Sequence, residues 1–469
     1  MNSYSRAGYF ALKKETTENV AVTPDVFVPI MSEDVVVDYS TVAATPIVGS
    51  RALNQRPIPN MIAPPSGTIV LLAEPKTLGH FLNGAYGSVA SGQIVKISSL
   101  SADFTVGETI TGGTSSETAT VVANSTEGDF VLVSSLSGDL TVGETITGGT
   151  SSSTATVVDS STTRYGHVFT DSDSLPTYTG EIGFKNEAIR YTGIRFNQIE
   201  YAQADNIIQI TATITARAAF HHARVTAAVT SGAGAKTITV DQTTGLAASD
   251  TIKVYRIGTG YLDFSASSVK THTVGTVASE TSITITNLET SLQEGDLIVL
   301  APQTPTYSID REFSWIGGSV VAIDNTITSA ISANCAGVED FNLSIVNNIE
   351  PLHKACGTNF VNRFPATNVL AGLEGTGSIT RTYTDPTYIS KLRADTDQAV
   401  RIKHVGREIG STGLNYELDL RIPVVQFDPY NANLESNSVI KEEISYTIYD
   451  GLTDGYFAKA ILINDVTSY

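Results

Sequence analysis

Residues 98–122, SSLSADFTVGETITGGTSSETATVV, recur at 134–158 with three differences: Ala102/Gly138, Phe104/Leu140 and Glu117/Ser153. Near identity at a spacing of 36 residues means tandem duplication of one small unit. Inside each copy Val, Ile and Thr alternate with polar residues, and Gly-Glu and Gly-Gly supply turns, so the unit is built from short strands. Stacked repeats generally need about three or more units to bury a continuous core. Two copies therefore predict an insertion on a larger domain, not a solenoid.

The rest of the chain has the same grain. Val35 to Val42, Ile207 to Ile214, Thr237 to Val240 and Ile283 to Ile285 alternate with period two and are rich in β-branched residues, the mark of strands with one buried face. Helical spacing is confined to two stretches. In EPKTLGHFLNGAYG, Pro75 stands at a helix start and Leu78, Phe81 and Leu82 share a face; in DPTYISKLRAD, Pro386 starts the turn and Tyr388, Ile389 and Leu392 follow. A mainly β chain with one short helix per unit is expected. Its 469 residues exceed the ~250–300 at which single cores stop growing, so several units must pack together.

Charge narrows the function classes. With 48 acidic and 29 basic residues the net charge is -19, which argues against gripping nucleic acid by phosphate neutralisation. No apolar run approaches the ~18 residues of a membrane span, so no membrane insertion is expected. The opening MNSYSRAGYFALKKETTENV lacks the apolar core of a secretory signal, and Cys335 and Cys356 are read as reduced thiols; cytoplasmic synthesis is the expectation.

A second β-rich block spans 223–305, where TTGLAASDTIKVY and TSLQEGDLIVL place Asp250 and Asp296 alike. Both are read as turn-closing aspartates, since neither run has the dense carboxylates of a calcium site. Setting both blocks aside exposes a more divergent duplication. DVVVDYSTVAA, SGTIVLLA, the EPKTLGHFL helix, AIRYTGIRFNQIEY and NIIQITATITA are answered in order by EDFNLSIVNNI, TGSITRTY, the DPTYISKL helix, LNYELDLRIPVVQF and VIKEEISYTIYDG. Gly67-Thr68-Ile69 corresponds to Gly377-Ser378-Ile379. The expected units are an N-terminal arm at 1–29, a first module at 30–88 plus 163–222, the inserted repeats at 89–162, a decoration domain at 223–305 and a second module at 306–469.

Residues with catalytic chemistry are sparse. Adjacent His221 and His222 would point to opposite faces of a strand and could not easily share a metal. GETITGG lacks the lysine and helix entry of a phosphate loop, and no Gly-x-Ser-x-Gly or His-Glu-x-x-His run occurs. Cys356 near His353 carries no nucleophile signature, and Trp315 is read as packing. No catalytic, cofactor or metal residues are assigned, and no enzyme activity is expected.

The stretches KKETTENVAVTPDVFVPI, SGTIVLLAEPKTLGHFLNGAYG, HVFTDSDSLPTYTGEIGF and RYTGIRFNQIEYAQADNIIQITATIT resemble the phage tail tube proteins, particularly those with two tube modules in one chain. The likeness covers roughly 8–88 and 163–225, with 306–469 more loosely, and excludes both inserts. It implies two β-sandwich-like modules, each with one helix, whose inward sheets join into a barrel around a lumen. Six modules per ring implies three chains, each contacting its neighbours head to tail. Implied partners are further copies of the chain, terminator and baseplate or tip proteins and, in a contractile tail, a sheath. DNA would pass through without specific binding, and the location would be the virion tail.

Two sets of site residues follow. The long loops at 45–66 and 347–375 are expected to bind the adjacent ring through Arg51, Arg56, Phe360 and Phe364. A lumen that does not capture DNA should be polar and negative, which points to Glu200 and Asp205 in the first module and Glu417 and Asp419 in the second, with Arg421 an impurity in that pattern. The inserts are expected on the outside of the tube, so deleting 98–158 should leave assembly intact. A competing reading, from a different class, is a receptor-binding or surface adhesion protein whose working surface is the β repeats.

Overall fold

In a computed structural model the described residues are 8–37, 41–42, 58–59, 63–125, 127–204, 206–262, 271–308, 310–314, 320–324, 338–353, 364–384, 386–393, 397–410, 414–429, 440–452 and 454–469. The chain is mainly β, with two short helices among these residues. It opens with β1 (Tyr9–Lys14), β2 (Val26–Val28), β3 (Ile30–Glu33), β4 (Thr41–Val42), β5 (Ile58–Pro59) and β6 (Ser66–Leu72). Period two is plain in β6, where Ile69 and Leu71 are buried and Thr68 and Val70 are not. Helix α1 (Leu78–Tyr86) then buries Leu78, Phe81, Leu82 and Ala85. Its start is tied by Glu74, whose Oε2 accepts from the Thr77 amide and hydroxyl, both at 2.8 Å. It stops at Gly87, whose φ of 93° is open to glycine and disfavoured for other residues.

The repeats form β7 (Gly87–Ser98), β8 (Thr109–Gly112), β9 (Thr118–Asn124), β10 (Phe130–Ser134), β11 (Thr145–Gly148) and β12 (Thr154–Asp171). The chain returns through β13 (Tyr178–Gly183), β14 (Ala188–Ala204), β15 (Ile207–Thr215) and β16 (Ala218–Phe220). The second block holds β17 (Ala223–Arg224), β18 (Gly232–Thr239), β19 (Thr251–Arg256), β20 (Gly260–Tyr261), β21 (His272–Ser279), β22 (Ser282–Leu288) and β23 (Leu297–Leu300). Last come β24 (Val320–Asp324), β25 (Val338–Val346), β26 (Ile349–Leu352), β27 (Thr367–Leu370), β28 (Glu374–Thr382), α2 (Thr387–Arg393), β29 (Gln398–Glu408), β30 (Asn415–Phe427), β31 (Lys441–Tyr449) and β32 (Lys459–Asn464).

The divergent duplication is present strand by strand. Pairing in the first module runs β3-β6-β15-β14-β13-β1, and in the second β25-β28-β31-β30-β29-β24, every pair antiparallel. Each helix lies between the third and fourth strands of its module in chain order, after β6 in the first and after β28 in the second. Register agrees as well as order. Gly67 faces Ile214, which faces Phe196; Gly377 faces Tyr446, which faces Phe427. At the far side Ala11, Glu181 and Arg190 lie in one row, answered by Ala322, Arg401 and Arg421. Residues 9–14 are therefore not part of a free N-terminal arm: β1 is a strand of the first module, with Phe10, Ala11 and Leu12 buried. A single hydrophobic core takes side chains from both modules.

The two repeats do not stand side by side as separate beads. Strands β8 and β11 pair with each other, and Glu108 and Glu144 reach across reciprocally. The Glu108 carboxylate accepts from the Thr150 and Ser151 amides at 2.7 and 2.8 Å, and Glu144 does the same for Thr114 and Ser115. The pair thus closes into one pseudo-symmetric unit with its own apolar cluster, including Phe104, Ile110, Leu140 and Ile146.

Candidate assembly surfaces

The modules join through sheet edges. The second half of β14 pairs with β25, from Gln198 opposite Val346 to Ala202 opposite Asn342. The fourth strand of one module thereby takes the first strand of the next, and one sheet continues as β3-β6-β15-β14-β25-β28-β31. One face of this sheet is apolar and buried, through Ile69, Ile210, Tyr201, Leu343, Ile379 and Ile444. Strand alternation puts Thr68, Thr211, Gln198, Glu200, Ser344, Thr376, Ser378 and Ser445 on the other. Hydrogen bonds cross the junction there, Asn342 Nδ2 to Glu200 Oε1 at 2.5 Å and Gln198 Nε2 to Ser344 Oγ at 2.9 Å. Glu374 and Glu443 stand on this face too, and Lys441 at its end is ion-paired to Glu339.

An arm crosses the same junction. Strands β26 and β27 form a hairpin between β25 and β28, and it leans on the first module. Phe364 is buried against Ala218 and Val37. Arg217 Nε donates to the Pro365 carbonyl at 3.1 Å, and Arg195 donates to the Asn368 carbonyl. Phe364 therefore does not stand ready for an adjacent ring, as expected from loop length; it fastens one module to the next within the chain. Arg51, Arg56 and Phe360 lie outside the described residues, as do Asp205, Trp315, Cys335 and Cys356.

Of the four carboxylates expected to line a lumen, Glu200 is on the polar face of the continuous sheet. Glu417 and Asp419 are not. They do share a face of β30, but that face is covered by the inserted repeat unit, leaving them 8% and 4% exposed. Glu417 pairs with Lys96, with Lys403 at 2.9 Å and with Arg164 at 3.3 Å. Asp419 is held by Arg401 at 2.7 Å and Arg421 at 2.8 Å. Arg421 continues to Glu127 at 2.7 Å and Asp129 at 2.6 Å, both in the insert, and Lys459 joins at 2.7 Å. Burial pushes the Glu127 carboxyl up, but Arg421 and Lys459 outweigh it and hold it at about 2. Arg421, read from the sequence as an impurity, is the centre of this docking cluster.

The first module uses the same position. Arg190, the counterpart of Arg421 in β14, is buried and donates to Glu181 at 2.7 Å and to Asp250 at 2.5 Å. Asp250 belongs to the second inserted block, so equivalent arginines each seat one insert. Asp250 and Asp296 are turn residues as expected: their carboxylates accept from the Ala247 and Gln293 amides three residues back, at 2.6 and 2.8 Å. Glu108 and Glu144 close the same turn on Thr105 and Thr141, each at 2.7 Å. His221 and His222 follow β16 rather than lying on it, the first partly buried and the second exposed. No protein-family model matches the chain, and the search of curated proteins found no match.

Proposed function

We propose that the chain is the structural subunit of a phage tail tube, assembling into stacked rings that conduct DNA. The observation that carries the reading is the β14–β25 junction between two modules of one strand order. Such a contact is heterologous, joining the fourth strand of one unit to the first strand of the next, so it repeats from chain to chain and closes when the rotation permits. Among the described residues no strand pairs with the outer edge of β3, the counterpart of β25, and closure would cover it. Each module in this reading is a β-sandwich, three chains complete a pseudo-sixfold ring, and the hydroxyl-rich face with Glu200 and Glu443 turns toward the DNA. A wall with few cations offers phosphates little counterion release and so does not hold them. The likeness of residues 8–88 and 163–225 to tail tube proteins supports the same assignment. Negative-stain microscopy with mass measurement of the purified protein tests it: trimeric rings or tubules are expected, and a protein that stays monomeric at every concentration and salt would end the proposal.

A further inference from the structure

The arm socket of the first module has an open counterpart in the second. Register equates Thr215 at the end of β15 with Thr447 in β31, and the same count carried onward sets Arg217 and Ala218 against Tyr449 and Asp450. In the first module this place is filled by the β26–β27 hairpin, with Phe364 on Ala218 and Arg217 donating to the hairpin. In the second it is a cleft of about 560 Å³ lined by Leu373, Glu374, Thr447, Tyr449, Asp450 and Phe457. Tyr449 is 47% exposed there, and nearby Leu452 is 90% exposed.

The occupant is indicated by the same duplication. The hairpin that fills the first socket connects the first and second strands of its own module, β25 and β28. The connection between β3 and β6 is likewise an arm containing a paired hairpin, β4 with β5. We propose that this arm, residues 38–62, docks in the Tyr449–Asp450 cleft of a second copy of the chain. Charge supports the match. In the filled socket the arginines, Arg195 and Arg217, belong to the socket and the arm offers carbonyls. In the open one the socket carries Glu374 and Asp450, while the arm sequence SRALNQRPIPN carries Arg51 and Arg56. The arm is thus a lateral fastener within a ring, not a contact between stacked rings. This inference rests on the ring reading.

Charge exchange tests it. Arg51→Glu with Arg56→Glu should leave a folded monomer, by circular dichroism, that fails to form rings in negative stain. Glu374→Arg with Asp450→Arg should fail likewise, and all four changes in one chain should restore rings. Wild-type rings with no rescue in the fourfold variant, or rings that form in either double variant and fail only to stack, overturn the arm docking and leave the tube reading standing. Wild-type protein that never forms rings overturns both.

Discussion

Arg421 shows how much one side chain can organise when burial and charge act together. It is 2% exposed and bound by Asp419, Glu127 and Asp129, which come from strand β30 and from the insert. Removing one partner of a buried ion cluster is costly because the remaining charges stay desolvated and uncompensated. Arg421→Met should therefore destabilise by about 3–5 kcal/mol, read from urea unfolding followed by tryptophan-independent far-ultraviolet dichroism. A loss below about 1 kcal/mol would mean that the carboxylates find water or other cations at no cost. The sequence placed Glu417, Asp419 and Arg421 on one strand face correctly, because alternation is local information. It could not say what covers that face, since Glu127 and Asp129 lie some 290 positions away and meet it only through tertiary folding.

At the scale of elements, one turn recurs four times across the two inserts. A buried Phe104, Leu140, Leu246 or Leu292 opens it, and Glu108, Glu144, Asp250 or Asp296 closes it. The residue before each carboxylate has φ of 87°, 87°, 70° and 94°, at Gly107, Gly143, Ser249 and Gly295. The 36-residue repeat was legible because its copies are nearly identical, and Asp250 was matched to Asp296, but the kinship of the two blocks was hidden. Ser249 stands where the others have glycine, and Asp replaces Glu. The inserts are also more than surface ornament. Beyond the Arg421 cluster, Phe130 and Leu132 of β10 pack on Ile461 and Ile463 of β32, which pairs with both β12 and β30. Deleting 98–158 would therefore strip Arg421 and Lys459 of Glu127 and expose two isoleucines, replacing the expectation that assembly survives. The deletion variant, closed by a short Gly-Ser turn, should melt several degrees lower and self-associate nonspecifically; an unchanged melting temperature would show that the insert contributes nothing to the joint.

Across the whole molecule, the two modules and both inserts share buried titratable groups, which sets the order in which acid dismantles the fold. His167 on β12 is 0% exposed, with Nδ1 2.8 Å from Ser91 Oγ and Nε2 donating to the Val466 carbonyl at 2.9 Å. Burial pushes its pKa down to about 4, and burial pushes His404 on β29 down to about 3. A histidine kept neutral in the fold contributes fully above its unfolded value of about 6.5 and loses that contribution as pH falls toward the folded value, at about 1.4 kcal/mol per pH unit. The carboxylates act lower. Glu127, held at about 2, and Asp419, held lower still by Arg421 and Arg401 against the push of burial, keep their contribution until pH drops below about 4.3. Acid should thus weaken the fold in two overlapping windows, His167 from about pH 6.5 to 4 and His404 on to about 3, and the carboxylates from about 4.3 to 2. The first window is expected to loosen the C-terminal strand before the ion cluster, because His167 lies opposite Leu462 of β32 and its ring is 4.7 Å from that of Tyr469. Melting temperatures measured at half-unit steps should fall between pH 6.5 and 4 in the natural protein and fall less steeply in His167→Gln, whose amide keeps a donor and an acceptor but does not titrate. Parallel slopes for the two proteins in that interval would remove His167 as the first acid-sensitive joint, whatever the carboxylates do below it.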